Sequence, residues 1–252
     1  NQSDRDFSVV EGAIRFGLKG IKNVGEGAIE AILEARTAAE GGVFHSFFDF
    51  AGSVVGPRVN KRVVESLVKC GAFDSLHENR AAVLHGLDAA LEWGASLQRD
   101  REIGQGSLFG VKGASGEEVS EPELVAVPPW TDRERLGYEK ELLGFYVTGH
   151  PLGSVASDLA RLTTVSAHTV EEYAGREVRV GGLLVSMRET RTKKGDAMAF
   201  GRIEDLEGAF EVVLFPRIYA AFGNLLREAE SSSKDGSRPC PLIIQGTLEE
   251  GD

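Results

Sequence analysis

The sequence predicts an α+β protein in two parts, an all-α N-terminal domain followed by a C-terminal antiparallel β-barrel. Three observations predict it. Apolar residues recur at helical spacing through 14–91, in segments divided by glycine turns. From about 171 the period changes to 2. Between these, 98–129 loses periodicity and closes on Pro128-Pro129.

Composition bounds the class. The chain has 252 residues, 42% of them apolar and 27% charged, as expected of a soluble globular protein with room for two cores. No apolar run approaches the roughly 18 residues of a membrane span. The start, Asn1-Gln2-Ser3-Asp4-Arg5-Asp6, is not a signal peptide and has no initiator Met, so the chain reads as a piece of something longer. Cys70 and Cys240 make neither a disulfide framework nor a zinc site, and a reducing cytoplasm fits them best. A net charge of −11 argues against a simple polyanion binder and confines any DNA contact to local basic patches.

The N-terminal elements follow in order. An apolar-periodic segment from Ile14 leads to Val24-Gly25-Glu26-Gly27, and a helix with Ile29, Ile32 and Leu33 inward runs toward Gly41-Gly42. Helix, tight glycine turn and helix make a helix-hairpin-helix. Gly25 and Gly27 permit the turn and leave N–H groups uncovered at the positive end of the next helix, where a phosphate fits. Lys19, Lys22 and Asn23 stand beside that end; the plain alternative is a turn with no ligand. Phe44, Phe47, Phe48 and Phe50 fit core packing better than base stacking. Asn60 caps a helix carrying Val63, Val64, Leu67 and Val68, which runs into Cys70-Gly71-Ala72-Phe73-Asp74. Asn79 caps the next, with Leu84, Leu87 and Leu91 inward. This second unit lacks Gly-x-Gly spacing, which puts its phosphate binding in doubt.

In the central loop, Gly104-Gln105-Gly106-Ser107-Leu108-Phe109-Gly110 sets two large apolar side chains in a polar, glycine-rich stretch. Leaving each in water costs about 1.5–3 kcal/mol, so the pair either anchors its own domain or fills a partner's pocket. Thr131-Asp132-Arg133-Glu134 is a capping box opening a helix with Leu136, Lys140 and Leu143 that stops at Gly144. Gly149-His150-Pro151-Leu152 is a turn; no nucleophile or carboxylate accompanies His150, which reads as structural.

The β-part begins with a long strand over Glu177–Arg188, kinked at Gly181-Gly182. Strands over Ala197–Glu204 and Phe210–Phe215, a helix over Tyr219–Arg227 and a strand at Leu242–Gly246 follow. Three strands, a helix and a strand match an OB-fold whose fifth strand is not in the sequence: the barrel is cut short or closed by something else. Such barrels bind single strands with a basic groove and stacking aromatics. Arg188, Arg191, Lys193 and Lys194 form a basic patch, whose plain alternative is a solvated turn, and Phe200 and Arg202 share one face of the second strand with Met198. Ala197, Ala199, Gly201 and Ile203 share the other, and alternation alone does not decide which face is core.

In their order along the chain these segments resemble the C-terminal part of the alpha-subunit family of bacterial DNA polymerase III, the C-family replicative polymerases. The likeness rests on Ile14-Arg15-Phe16-Gly17-Leu18, Val24-Gly25-Glu26-Gly27-Ala28, Asn60-Lys61-Arg62, Gly71-Ala72-Phe73-Asp74 and the central Gly104–Gly110 loop. It continues through Tyr138-Glu139-Lys140-Glu141-Leu142-Leu143-Gly144-Phe145-Tyr146, Gly149-His150-Pro151-Leu152, Lys193-Lys194-Gly195 and Leu214-Phe215-Pro216.

The resemblance implies a tandem helix-hairpin-helix domain over 1–97, holding duplex DNA by its backbone through Lys19, Lys22, Asn23, Gly25 and Gly27. It implies a loop over 98–130 whose Gln105, Leu108 and Phe109 bind the sliding clamp (the beta subunit), and a helical connector over 131–170. It implies an OB-fold over 171–252 that touches the single-stranded template through Arg188, Arg191, Lys193, Lys194, Phe200 and Arg202. Polymerisation in the family uses Mg2+ held by aspartates of a palm domain that nothing in this chain matches. The chain therefore carries no catalytic site, metal or cofactor of its own, and other replicase subunits meet regions outside it. Two other readings compete. One is a protein-interaction scaffold without DNA binding. The other is a fragment of an NAD-dependent DNA ligase, whose opposite module order and four-cysteine zinc module count against it.

Overall fold

The computed structural model describes residues 1–54, 56–102, 121–234 and 240–249. The chain divides into two compact units, Asn1–Val147 and Thr148–Asp252.

In the first unit, β1 (Ser8–Val10) pairs antiparallel with β2 (Ala13–Arg15). Only Glu11 and Gly12 join them, both at positive φ (53° and 80°), the turn geometry that suits the twist of two paired strands. The helical periodicity expected from Ile14 gives no helix: the stretch is a strand, a 3-10 turn at Leu18–Gly20 and a loop. The cause is long-range pairing. The amides of Leu18 and Lys19 donate to the carbonyls of Asp4 and Arg5 at 2.9 and 3.0 Å, so they are taken from any helix.

α1 (Glu26–Ala38) buries Ala28, Ile29, Ala31 and Ile32. α2 (Phe47–Val54), α3 (Lys61–Lys69), α4 (Arg80–His85), α5 (Leu87–Glu102) and α6 (Asp132–Leu143) complete the unit. Asn60 and Asn79 cap as the sequence predicts, accepting from the amides of Val63 (3.2 Å) and of Ala81 and Ala82 (3.0 and 3.2 Å). Each such cap stabilises its helix by about 0.5–2 kcal/mol. The phenylalanine cluster is core. Phe44, Phe47, Phe48 and Phe50 are buried, and Phe50 and Phe47 meet Phe73 edge-to-face at 4.8 and 5.1 Å. The stretch 131–170, expected as one connector, is shared between the units. α6, opened by the Thr131/Glu134 capping box, buries Leu142 in the first core, whereas Leu159 packs with Leu152 and Leu183 in the second.

The second unit carries α7 (Ala156–Leu162), β3 (Glu177–Arg191), β4 (Ala197–Glu204), β5 (Ala209–Leu214), α8 (Pro216–Lys234) and β6 (Leu242–Thr247). All neighbours are antiparallel, in the order β5-β4-β3-β6. The long β3 serves two partners, β6 along Glu177–Gly182 and β4 along Leu183–Arg191. It changes partner at Gly182, where a Cβ would lie 2.7 Å from Ile203 Cγ2, and a register shift follows between Leu184 and Ser186. Glycine and bulge together curl the sheet into a half-barrel of the OB type, four-stranded among the described residues. α8 covers the core face, burying Tyr219 and Leu226 against Leu184, Ala199, Ile203 and Leu214.

Candidate nucleic-acid interface

The five residues expected at a duplex backbone lie on one short stretch of the first unit. Lys19 sits on the 3-10 turn and Lys22 just after it; both are exposed and form no ion pair among the described residues. Asn23 adopts φ 69°, the left-handed region, and its Nδ2 donates to Ser66 Oγ of α3 at 3.1 Å. The Lys22 amide donates to the Leu142 carbonyl of α6 at 2.9 Å. Held from behind at both points, the chain buries Val24 and starts α1.

The amino end of α1 is open. Gly25 occupies the capping position in extended backbone (φ −82°, ψ 165°) and no side chain caps the helix. The Ala28 and Ile29 amides fold back on the Gly25 carbonyl at 3.0 and 3.1 Å, while those of Gly25, Glu26 and Gly27 meet no acceptor among the described residues. A Cβ on Gly25 would meet nothing within 4 Å, and one on Gly27 only Arg58 Cδ at 3.9 Å. The fold does not require glycine at 25, and a glycine there leaves the amides at the helix start accessible. Nearby acids are partly spoken for: Glu26 pairs with Arg5, and Glu34 with Arg58 at 2.7 Å. That bond to Arg58 holds the Glu34 carboxyl below its ordinary range.

The second hairpin is built differently. Gly71 takes φ 87° at its turn, and Arg80 lies directly over it, with Cζ 2.6 Å from where a Cβ would stand. Arg80 donates to both carboxylate oxygens of Asp74, at 2.7 and 2.6 Å, and to Glu139 Oε1 at 3.0 Å. Its guanidinium closes off the turn, an internal role consistent with the missing Gly-x-Gly spacing. Beside it, burial pushes the Cys70 thiol up to about 11, leaving it protonated and inert.

In the second unit the structure settles the faces of β4. Ala199, Gly201 and Ile203 face the core, and Phe200 and Arg202 face outward. Arg188 stands opposite Phe200 on β3, its guanidinium 5.1 Å from the ring centre. Ser186 and Arg202 are the next outward pair, and Val213 flanks Phe200 from β5. Arg191 is turned to the loop backbone, donating to the Gly195 carbonyl at 2.8 Å, while Lys193 and Lys194 are exposed at the tip. Five of the six expected side chains therefore form two groups, a guanidinium–ring face of Arg188, Phe200 and Arg202 and a lysine tip, and Arg191 belongs to neither. Arg227 of α8 is matched internally: it donates to Glu189 at 2.9 Å and to the Tyr219 hydroxyl at 2.7 Å. Hydrogen bonding by Tyr219 and then Arg227 holds the Glu189 carboxyl below its usual range. His150 caps its turn, Nδ1 accepting from the Leu152 amide at 3.1 Å. Among the described residues no cluster of three or more His, Cys, Asp or Glu is arranged to hold a metal, and no helix is long and apolar enough to cross a membrane.

Gln105, Leu108 and Phe109 lie outside the described residues. Ser66, Leu142, Arg80 and Glu139 support the hairpins yet escape sequence reasoning almost entirely. The one signal is Glu139, a carboxylate on the inward stripe of α6 between Leu136 and Leu142.

Residues 1–83 match the helix-hairpin-helix motif family, in agreement with the glycine-turned helices of the first unit. The wider relationship is more particular. The chain is 35% identical over 232 residues to DNA polymerase III subunit alpha of Borreliella burgdorferi, covering 90% of this chain and 20% of that protein. It is 38% identical over 242 residues to the same subunit of Vibrio cholerae (96% and 20%), and 34% over 222 residues to that of Escherichia coli O157:H7 (86% and 19%). Along about nine-tenths of its length the chain is thus homologous to a segment of the DNA polymerase III alpha subunit, and it spans about a fifth of those relatives.

Proposed function

We propose that this chain is the part of a replicative DNA polymerase III alpha subunit that positions DNA and tethers the polymerase to its sliding clamp. Duplex DNA lies against the open end of α1, where the amides of Gly25, Glu26 and Gly27 and the charges of Lys19 and Lys22 meet phosphates. Single-stranded template crosses the outward face of the half-barrel, over Phe200, Arg188 and Arg202, with Lys193 and Lys194 on its backbone. Gln105, Leu108 and Phe109 enter the clamp, the amide hydrogen-bonding and the Leu-Phe pair filling an apolar pocket. Linked weak sites of this kind raise effective concentration without one tight contact. Nucleotidyl transfer, with its Mg2+, belongs in this reading to the four-fifths of the relatives that the chain does not span.

The observation that carries the reading is the uncapped amino end of α1 behind a glycine that the fold itself does not need. The test is duplex binding by fluorescence anisotropy across a salt series. A handful of phosphate contacts gives a linear fall of log affinity with log salt, about 0.9 per contact. Absent or salt-independent binding would leave a scaffold that recognises protein alone.

A further inference from the structure

The two hairpins differ in one respect that bears on each other. The first presents amides outward, and the second folds an arginine over its own turn. Between them runs α6. At its middle, Glu139 is fully buried, with Oε1 accepting from Arg80 Nη1 at 3.0 Å and Oε2 from the Val147 amide at 2.7 Å. Three residues on, the Leu142 carbonyl accepts the Lys22 amide at 2.9 Å. From the other side, buried Ser66 of α3 accepts from Asn23, the residue whose left-handed backbone turns the chain toward Gly25.

We infer that Glu139 and Ser66 are positioning residues for duplex binding: they set the loop Lys22–Gly27 from behind, so that its amides face the DNA backbone together. The inference rests on the duplex-binding reading of that loop. Its physical basis is geometric. Val24 anchors the loop in the core and Glu26 pairs with Arg5; between these, its direction is set by two hydrogen bonds to α3 and α6. α6 in turn is located by an ion pair that is expensive to break, because losing either partner leaves a buried charge. The second hairpin then acts on DNA indirectly. Its Arg80 is the anchor for α6, and Gly71 is needed because only a residue without Cβ leaves room for that guanidinium.

The test uses Glu139→Gln and Ser66→Ala. A glutamine has one acceptor oxygen for two facing donors, Arg80 and the Val147 amide, so α6 must shift. Ser66→Ala removes a single hydrogen bond and no charge, so it keeps the test alive should the first variant fold poorly. Three quantities are read on the full chain: duplex affinity with its salt slope, single-strand affinity as a control in the other unit, and amide exchange at Lys22. Both variants are expected to lower the duplex salt slope by about one contact, to leave single-strand affinity unchanged and to speed exchange at the Lys22 amide. Wild-type duplex affinity and slope in both variants, with Gly25→Val still defective, would overturn the inference and spare the duplex reading. A lower melting temperature with an unchanged slope would also overturn it, reducing both residues to fold support. If the wild type shows no salt-dependent duplex binding at all, the duplex reading itself fails.

Discussion

Gly25→Val separates a ligand role from a structural one. At φ −82° and ψ 165° valine is at ease, and no atom lies within 4 Å of the new Cβ. Two small terms act on stability. Losing a glycine at a helix cap costs up to about 1 kcal/mol, and stiffening the unfolded chain returns about 0.4–1 kcal/mol. The melting temperature should therefore move by less than about 4 °C. Binding is another matter. The isopropyl group stands where a phosphate would reach the amides of Glu26 and Gly27. Losing one hydrogen bond to a charged group is worth about 1.5–3 kcal/mol, roughly a 10- to 100-fold drop in duplex affinity, and the salt slope should fall by about 1. Fluorescence anisotropy with a short duplex at several salt concentrations reads both. Gly17→Ala makes the contrast: its Cβ would sit 2.7 Å from the Asp6 carbonyl oxygen, so it should lose stability outright. Unchanged DNA affinity in Gly25→Val would refute the reasoning, since nothing in the fold then explains an open glycine there.

Replacing Leu108 and Phe109 by alanine should abolish binding to a bacterial sliding clamp, measured by surface plasmon resonance, with the melting temperature unmoved; a clear drop in melting temperature would make the pair part of the core. Lys193→Glu with Lys194→Glu should weaken single-strand binding about tenfold or more and reduce its salt dependence, whereas unchanged affinity would put the strand elsewhere. Phe200→Ala should cost about 1–3 kcal/mol of single-strand affinity through lost stacking while leaving the half-barrel folded, because the ring faces away from the core; unfolding instead would contradict that placement. With its thiol raised to about 11, Cys70 should resist alkylation at pH 8 while half-buried Cys240 reacts; comparable rates, read by mass spectrometry, would count against the packing around Cys70.

Much of the fold is legible because it is local. The caps at Asn60, Asn79 and Thr131 and the period-2 strands each state their structure within a few residues. What is not legible depends on distant chain. The 14–24 segment fails as a helix because Asp4 and Arg5 supply carbonyls that no periodicity announces. Alternation leaves the core face of β4 open because Met198 and Phe200 are larger than Ala199 and Gly201; α8 and the pairing of Leu184 with Ile203 decide it. The candidate site divides the same way. Gly25, Gly27 and the lysines are visible as a motif. Ser66 looks like any helical serine, and its role exists only through Asn23, 43 residues away.

The most direct measurement is a backbone-amide NMR titration of the 15N-labelled chain with a short duplex, then with a single strand. Duplex is expected to shift Gly25, Glu26 and Gly27 first and to leave Gly71 and Ala72 nearly still, and the single strand to shift Arg188, Phe200 and Arg202. Duplex shifts centred on Gly71 and Ala72, or none at Gly25–Gly27, would contradict the duplex reading.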